Sequence, residues 1–229
     1  MYGQTLEFST VWAAFDQLLA GAGLTLRLTA EAICLGMIVA IACAWVKTGG
    51  PRWLRPPVTC YIEAIRNTPF LLQLYFLFFG LPSIGIRLAP NDAALLTMVV
   101  NLGAYAAEIV RAGIEAIQIG QIEAGRALGL RPWLIFRHIV IIPALQTVFP
   151  ALSSQFILVV LGSSVISTIS AEELTAIANN LQSQSFRPFE IYFVVGGIYI
   201  AMALGFQAIF AVVQRALFPS APAPEEVPI

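Results

Sequence analysis

Residues 123–144 have the sequence EAGRALGLRPWLIFRHIVIIPA and form the longest break in a chain that is otherwise mostly apolar. Gly125 and Gly129 permit close approach or a left-handed bend, and Pro132 can begin a helix but is disfavoured inside one. The segment therefore predicts a helix, a turn and a second helix. Its basic residues stand among apolar ones, which makes it an amphipathic docking surface rather than a solvated charge run; they are Arg126, Arg131, Arg137 and His138.

The composition places the rest of the chain in a membrane. Of 229 residues, 59% are hydrophobic and only 11% are charged, and the mean hydropathy is +0.83. A soluble globule of this size cannot bury so large an apolar fraction. The net charge of -1 and the scattered basic residues give no reason to expect a nucleic-acid partner.

Several kinds of catalytic or metal site are not expected. The sequence contains no GxxxxGK[ST] phosphate-binding motif, so we expect no nucleotide hydrolysis by this chain. Cys34, Cys43 and Cys60 lie in or beside apolar runs without CxxC spacing, which favours packing over a metal site. With a single histidine there is also no set of residues for an intramembrane enzyme. We therefore predict no catalytic and no metal-binding residues.

Apolar runs predict five membrane spans, each close to the roughly 20 residues that a bilayer requires. Residues 1–23 are expected to form an interfacial segment, residues 24–217 the transmembrane domain, and residues 218–229 a Pro-rich cytoplasmic tail that is disordered. The predicted spans cover residues 24–46, 58–81, 93–112, 148–169 and 189–217.

The distribution of basic residues predicts the orientation. Lys47, Arg52 and Arg55, the segment around Arg126 and the chain near Arg215 all fall on one side if five spans alternate. Basic residues favour the cytoplasmic side. We therefore expect the N-terminus outside, and the C-terminus and residues 123–144 in the cytoplasm.

Residues 123–144 resemble the "EAA" loop of ABC-importer permease subunits. That loop has Glu-Ala-Ala, three residues, Gly, nine residues and then Ile-x-Leu-Pro. Here Glu123, Ala124 and Gly125 are followed by Gly129, nine further residues and Ile139. Gly125 replaces the third motif residue, and Pro143 stands one position later than in the family pattern.

The resemblance covers nearly the whole chain apart from the tail and is closest to permeases of the polar amino acid uptake family. Their second-span motif, E-x-x-R-x-T-P-x-x-x-Q, is matched by Glu63, Arg66, Thr68, Pro69 and Gln73. Residues 103–108 with 111–113 are similar to the third span of these permeases. Residues 120–121, 150–157 and 186–192 match further family segments.

The resemblance implies a fold and a set of partners. The fold is the all-α type I ABC importer permease fold, with five transmembrane helices and a cytoplasmic helix-turn-helix coupling loop at about residues 114–144. The implied partners are a second permease subunit, ATPase subunits that bind ATP and Mg, a soluble substrate-binding protein and an amino acid, in a bacterial cytoplasmic membrane. The implied coupling residues are Glu123, Ala124, Gly125, Ala127, Leu128, Gly129 and Trp133.

The substrate path is assigned from polar and small residues inside the predicted spans. Many relatives carry a Lys-Asp-Thr-Ser run where this chain has Leu161, Gly162, Ser163 and Ser164, so both charges of that run are missing. We expect a polar or zwitterionic amino acid or a derivative of one. The candidate path residues are Glu63, Asn101, Glu108, Gln155, Gly162, Ser163 and Ser164.

Two alternatives to an ABC permease stay open at this point. A secondary amino acid transporter would need an ion-coupling site, which Glu31, Glu63 or Glu108 could supply, although the sequence lacks an inverted repeat. A membrane anchor without transport activity is also compatible with the hydropathy pattern.

Overall fold

The structure of the protein is a computed structural model, which describes residues 6–218. Over that range the chain is helical and contains no β-strand. Short 3-10 helices occur at Arg52–Leu54, Leu81–Ile84 and Ser163–Ile169, and π-helical segments at Phe76–Gly80 and Ile135–Ile141. The α-helices are α1 (Ser9–Ala13), α2 (Phe15–Thr48), α3 (Arg55–Arg66), α4 (Phe70–Tyr75), α5 (Pro90–Glu115), α6 (Ile119–Ala127), α7 (Pro132–Leu134), α8 (Ile142–Gly162), α9 (Leu174–Ser185) and α10 (Pro188–Leu217).

Four helical stretches are long and apolar enough to cross a bilayer. They are Phe15–Thr48, Pro90–Glu115, Pro132–Ile169 and Pro188–Leu217. Each exceeds the roughly 20 residues that a span requires. The all-α membrane fold predicted from the sequence is therefore confirmed.

The predicted second span is broken in the middle. The chain leaves helical structure between α3 and α4, at residues 67–69. Pro69 has no N–H to donate to the preceding turn and disfavours a helical conformation at Thr68. The prediction of one continuous helix over residues 58–81 is wrong, and the apolar helical run after the break, Phe70–Ile84, is shorter than a usual span. The count of five spans stays a prediction.

Other helices extend beyond their predicted bounds. Helix α2 begins at Phe15, so residues 15–23, expected along the membrane interface, are continuous with the first span. The fourth helical stretch begins at Pro132 instead of residue 148. Pro143 does not end it; this proline is the second residue of α8 and directly follows the π-helical segment Ile135–Ile141, where the helical hydrogen-bond register changes. Residues 219–229, the greater part of the predicted tail, lie outside the described range.

Helix α5 is the centre of the fold, and its closest partner is α2. Small residues allow this approach: a Cβ on Gly36 would lie 3.0 Å from Leu102, and a Cβ on Gly103 would lie 2.8 Å from Val39. On another side, a Cβ on Gly113 would lie 2.2 Å from Cγ1 of Val148 in α8. Glycine therefore brings the helix backbones close enough for their side chains to interlock.

Polar contacts show that α2 and α5 run in the same direction. Lys47 Nζ, near the end of α2, lies 2.5 Å from Glu108 Oε1 in the second half of α5. At the opposite end, Asn91 Oδ1 in the first turn of α5 accepts a hydrogen bond from the N–H of Glu172 at 2.8 Å. Thr25, in the first half of α2, donates to Glu173 in the same loop at 3.5 Å. The segment with α3 and α4 must therefore return the chain from one end to the other.

Candidate functional site

The turn between α6 and α7 has the predicted left-handed residue. Gly129 has φ +70°. Its N–H donates to the Arg126 carbonyl at 2.9 Å, and the Leu130 N–H donates to the Gly125 carbonyl at 3.1 Å. These two bonds are those of a Schellman motif, in which a glycine ends a helix and satisfies its last carbonyls. In the structure, α6, this turn and α7 therefore follow one another as a helix, a turn and a helix.

The surroundings of Gly125 give a structural reason for a glycine where the family motif has alanine. It is the buried residue of α6. A Cβ at this position would lie 2.6 Å from Cδ1 of Ile139 and 3.3 Å from Cγ1 of Ile135. Ile135 and Ile139 belong to the π-helical segment that follows the turn. Glycine therefore lets α6 lie directly on the start of the next membrane helix, where an alanine would require the Ile139 side chain to move.

The other predicted coupling residues lie on the surface. Leu128 is 79% exposed and Trp133 is 63% exposed. The Trp133 and Phe136 rings are tilted by 36° to each other, with centroids 6.0 Å apart. Beside them is an open groove of about 390 Å³ that the sequence analysis did not assign; its lining includes Ile122, Arg126, Leu130, Pro132, Ile135 and Phe136. Glu123, Ala124, Ala127 and Gly129 are exposed as well.

A second cavity, the central cleft, lies between α4, α5 and α8. It has a volume of about 170 Å³ and brings together three predicted path residues: Asn101, Gln155 and Gly162. Its remaining lining was not predicted, because apolar residues of a span carry no distinguishing sequence signal; these residues are Phe70, Met98, Leu158, Val159 and Val165. None of the lining residues is charged. The cleft therefore offers amide groups in an otherwise apolar wall.

The two acidic residues predicted for the path do not line the central cleft. Glu63 is exposed near the end of α3, where its carboxylate accepts a hydrogen bond from Asn67 at 3.1 Å. Glu108 is held between two cations, with Lys47 at 2.5 Å and Arg111 at 2.8 Å. Because these charges pair with each other, Glu108 joins the ends of α2 and α5, and its role in the substrate path stays a prediction.

The two serines also lie outside the cleft lining. Ser163 is buried and donates to the Val160 carbonyl at 2.6 Å. Ser164 donates to the Leu161 carbonyl at 2.9 Å. Both hydroxyls satisfy carbonyls of the helix end as it changes to a 3-10 helix. The structure therefore gives them a local role in the helix, while the adjacent Gly162 reaches the cleft.

Glu173, which the sequence analysis did not single out, is the fully buried carboxyl group at the start of α9. Its Oε1 accepts the N–H of Ala176 at 2.8 Å, and its Oε2 accepts the hydroxyl of Tyr199 at 2.7 Å. Burial raises the pKa of Glu173, and the hydrogen bonds from neutral donors only partly offset that effect. No N-cap signal marks it in the sequence, because Glu is not among the residues preferred at that position.

Comparison with known proteins places these features in a family. The family described as binding-protein-dependent transport system inner membrane component matches residues 32–219. The octopine transport system permease protein OccM of Rhizobium meliloti is 37% identical over 91% of this chain and 89% of its own length. The glutamine transport system permease protein GlnP of Escherichia coli (strain K12) is 33% identical over 86% of this chain and 91% of its own.

Solved structures share the fold. A chain of an amino acid ABC transporter, crystallised with histidines, superposes with a TM-score of 0.86 at 32% identity, covering 93% of this chain and all of that one. The MetNI methionine ABC transporter in an inward-facing form has the same fold, with a TM-score of 0.74 at 21% identity and coverage of 90% and 98%. The family match over residues 32–219, the relatives above 30% identity and the shared fold agree, and the chain belongs to the family of inner membrane permease components of binding-protein-dependent ABC transport systems.

Proposed function

We propose that this chain is the permease subunit of an ABC importer that moves a polar or zwitterionic amino acid, or a derivative of one, through the central cleft. In this assembly it pairs with a second permease subunit, identical or homologous. This chain lacks a nucleotide-binding motif, so we assign the binding of ATP and Mg to separate ATPase subunits. A soluble binding protein delivers the substrate from outside.

The observation that carries the proposal is the protruding turn between α6 and α7. Leu128 is 79% exposed and follows directly on the last residue of α6, and Gly129 ends the helix with φ +70°. Exposed apolar side chains on a rigid, sharply ended helix are suited to a groove on another protein. We assign Glu123, Leu128 and Trp133 to contact the ATPase, with Gly125 and Gly129 setting the shape of the loop.

The central cleft supports the substrate class. Asn101 and Gln155 are its amide-bearing residues, and no lining residue carries a charge. A ligand with a net charge would lose hydration there without a fixed counter-charge, whereas a net-neutral zwitterion or an amide balances its charges internally and can use neutral hydrogen bonds. Relatives named for octopine and glutamine transport agree with net-neutral cargo of this type.

The orientation follows the basic residues. Lys47 lies at the end of α2 that is joined to the second half of α5, on the side from which α5 leads into α6. An excess of Lys and Arg favours the cytoplasmic side. We propose that this side and the C-terminus face the cytoplasm of a bacterial cell, and that α9 and the N-terminus lie outside the membrane on the other side.

The test is uptake into proteoliposomes that contain the permease and its ATPase, with the binding protein outside. The probes are L-glutamine and octopine, with ATP or a non-hydrolysable analogue enclosed. ATP-dependent accumulation of either probe is expected. Accumulation driven by a proton gradient without ATP would instead indicate a secondary transporter, and uptake of arginine or lysine alone would contradict the proposed substrate class.

A further inference from the structure

The break in the second span removes a backbone donor, and the Ile65 carbonyl keeps only long hydrogen bonds from Thr68, at 3.4 Å from its N–H and 3.3 Å from its hydroxyl. In an uninterrupted helix the N–H of residue 69 would donate to the carbonyl of Ile65, but Pro69 has no N–H. The side chain of Gln73 takes this place, with its Nε2 2.7 Å from the Ile65 carbonyl and 2.9 Å from the Thr68 carbonyl. Gln73 is only 5% exposed. Its amide therefore repairs the hydrogen bonding that the proline removes.

These contacts fix the orientation of the Gln73 side-chain amide. The carbonyls of Ile65 and Thr68 can only accept hydrogen bonds. The Thr68 hydroxyl already donates to the Ala64 carbonyl at 2.8 Å, so it accepts from Gln73 Nε2 at 3.0 Å. The nitrogen must lie on this side, and the oxygen of Gln73 must face away from the break.

The oxygen of Gln73 in turn orients Asn101. Asn101 Nδ2 in α5 donates to Gln73 Oε1 at 2.9 Å. An amide oxygen can only accept, so the nitrogen of Asn101 must be the end that faces Gln73. Because the two polar ends of an amide point apart, the oxygen of Asn101 is the end left for the cleft that Asn101 lines.

From this relay we infer that Gln73 is a positioning residue, which holds Asn101 so that the central cleft presents a fixed hydrogen-bond acceptor to N–H groups of the ligand. The chemistry that fits is an ammonium, amide or guanidinium N–H, and a ligand carboxylate is placed elsewhere. Phe70, on the same short helix as Gln73, lines the cleft as well. The inference rests on the proposed function of the cleft as the substrate path.

The test compares Gln73→Met with Thr97→Val. Met has a similar length to Gln but makes no such hydrogen bonds. Thr97 is a buried residue of α5 one turn before Asn101, and its hydroxyl bonds only within its own helix, to the Ala93 carbonyl at 2.6 Å. With saturating binding protein loaded with L-glutamine or octopine, Gln73→Met is expected to lower the maximal uptake rate about tenfold, as for loss of a neutral hydrogen bond. Thr97→Val is expected to transport like the wild type.

A third variant, Gln73→Glu, separates positioning from space filling. A carboxylate cannot donate to the Ile65 and Thr68 carbonyls, so it is expected to fail although its shape is nearly that of glutamine. Basal ATP hydrolysis and the yield of assembled complex are expected to stay at wild-type values in all three variants. Wild-type uptake by Gln73→Met or Gln73→Glu, or an equal loss in Thr97→Val, would overturn the inference.

A second measurement, hydrogen exchange, requires no substrate. It therefore tests the role of Gln73 separately from the proposed substrate class. Hydrogen exchange of the purified complex is expected to be faster at residues 67–74 in Gln73→Met than in the wild type, and unchanged there in Thr97→Val. If the wild-type complex transports neither probe, the proposed substrate class fails. Unchanged exchange in Gln73→Met would by itself overturn the positioning role of Gln73.

Discussion

At the scale of single residues, Glu173 shows how a buried acid can hold membrane helices together. The Thr25 hydroxyl of α2 donates to it at 3.5 Å and accepts the N–H of Leu174 at 3.1 Å, while Tyr199 of α10 donates to it at 2.7 Å. Three helices therefore meet at one carboxyl group. Because its donors are neutral, the charged form gains little to offset its lost hydration.

This environment predicts a pH dependence of stability. Burial raises the folded-state pKa of Glu173 above its ordinary value of 4.5. Between the unfolded and folded values the folded protein binds the extra proton, so stability falls as the pH rises through that window and is level above it. Glu173→Gln is expected to flatten this slope and to have an unfolding temperature at pH 8 at least as high as that of the wild type.

Thermal unfolding of the purified protein from pH 4.5 to pH 8 provides the measurement. The matched control is Glu172→Gln, since Glu172 is exposed and adjacent. This control is expected to keep the wild-type slope. A Glu173→Gln protein that unfolds earlier than the wild type at every pH would contradict the assignment of a costly buried charge.

Gly162 permits a second prediction at the residue scale. It lines the cleft, and a Cβ built on it meets no atom within 4 Å. Gly162→Val should therefore fold but reduce the space for the substrate, lowering uptake at least tenfold with assembly intact. Gly197 in α10 also has open space around its Cβ and does not line the cleft, so Gly197→Val is the control. Equal uptake by the two variants would show that the cleft is not part of the substrate path.

At the scale of elements, the α6–α7 turn depends on one backbone conformation. A side chain at positive φ costs roughly 1 kcal/mol or more. No atom lies within 4 Å of a Cβ built on Gly129 or on Gly120, so space is equal at both positions and only the conformation differs. Alanine variants at Gly129 and Gly120 therefore separate the effect of backbone strain from the effect of steric crowding.

Gly129→Ala is expected to reduce ATP hydrolysis stimulated by the loaded binding protein, about fivefold for a strain near 1 kcal/mol. Gly120→Ala is expected to be close to wild type, because alanine favours a helix. Gly129→Leu should have a larger effect than Gly129→Ala. Stimulated hydrolysis that is unchanged in both Gly129 variants would show that the shape of this turn is not needed for coupling.

At the scale of the whole molecule, the ends of the bundle are distinguished by their contacts. The Lys47–Glu108 pair joins α2 to α5 at one end, and Thr25 and Asn91 join the same helices to the loop before α9 at the other. The loop with α6 and the helix α9 must therefore lie at opposite ends of the bundle. The distribution of basic residues predicts which end is cytoplasmic.

The orientation can be tested with cysteines in a background that lacks Cys34, Cys43 and Cys60. We expect Ser185→Cys, at the end of α9, to react with a membrane-impermeant thiol reagent added to intact cells. Arg131→Cys should react only after the membrane is opened. The reverse pattern would overturn the proposed orientation.

The sequence by itself determined the class of the protein and the position of the turn between α6 and α7. A hydrophobic fraction of 59% excludes a soluble core, and the local rules for Gly129 and Pro132 depend only on their own backbone limits. Asn101, Gln155 and Gly162 could be selected because polar or small residues are informative inside apolar spans. In each case the relevant physics acts within a few residues or on the composition as a whole.

The tertiary structure decided which of the candidate side chains meet. Glu108 was a path candidate in the sequence, and only the structure shows that it pairs with Lys47, 61 residues away. Gln73 matched a family motif, yet its link to Asn101 exists only because α4 packs on α5. Ser163 and Ser164 stay predicted path residues, but the sequence could not show that their hydroxyls bond to carbonyls of their own helix and that neither residue lines the cleft. Such contacts join residues far apart in the chain, and no local pattern encodes them.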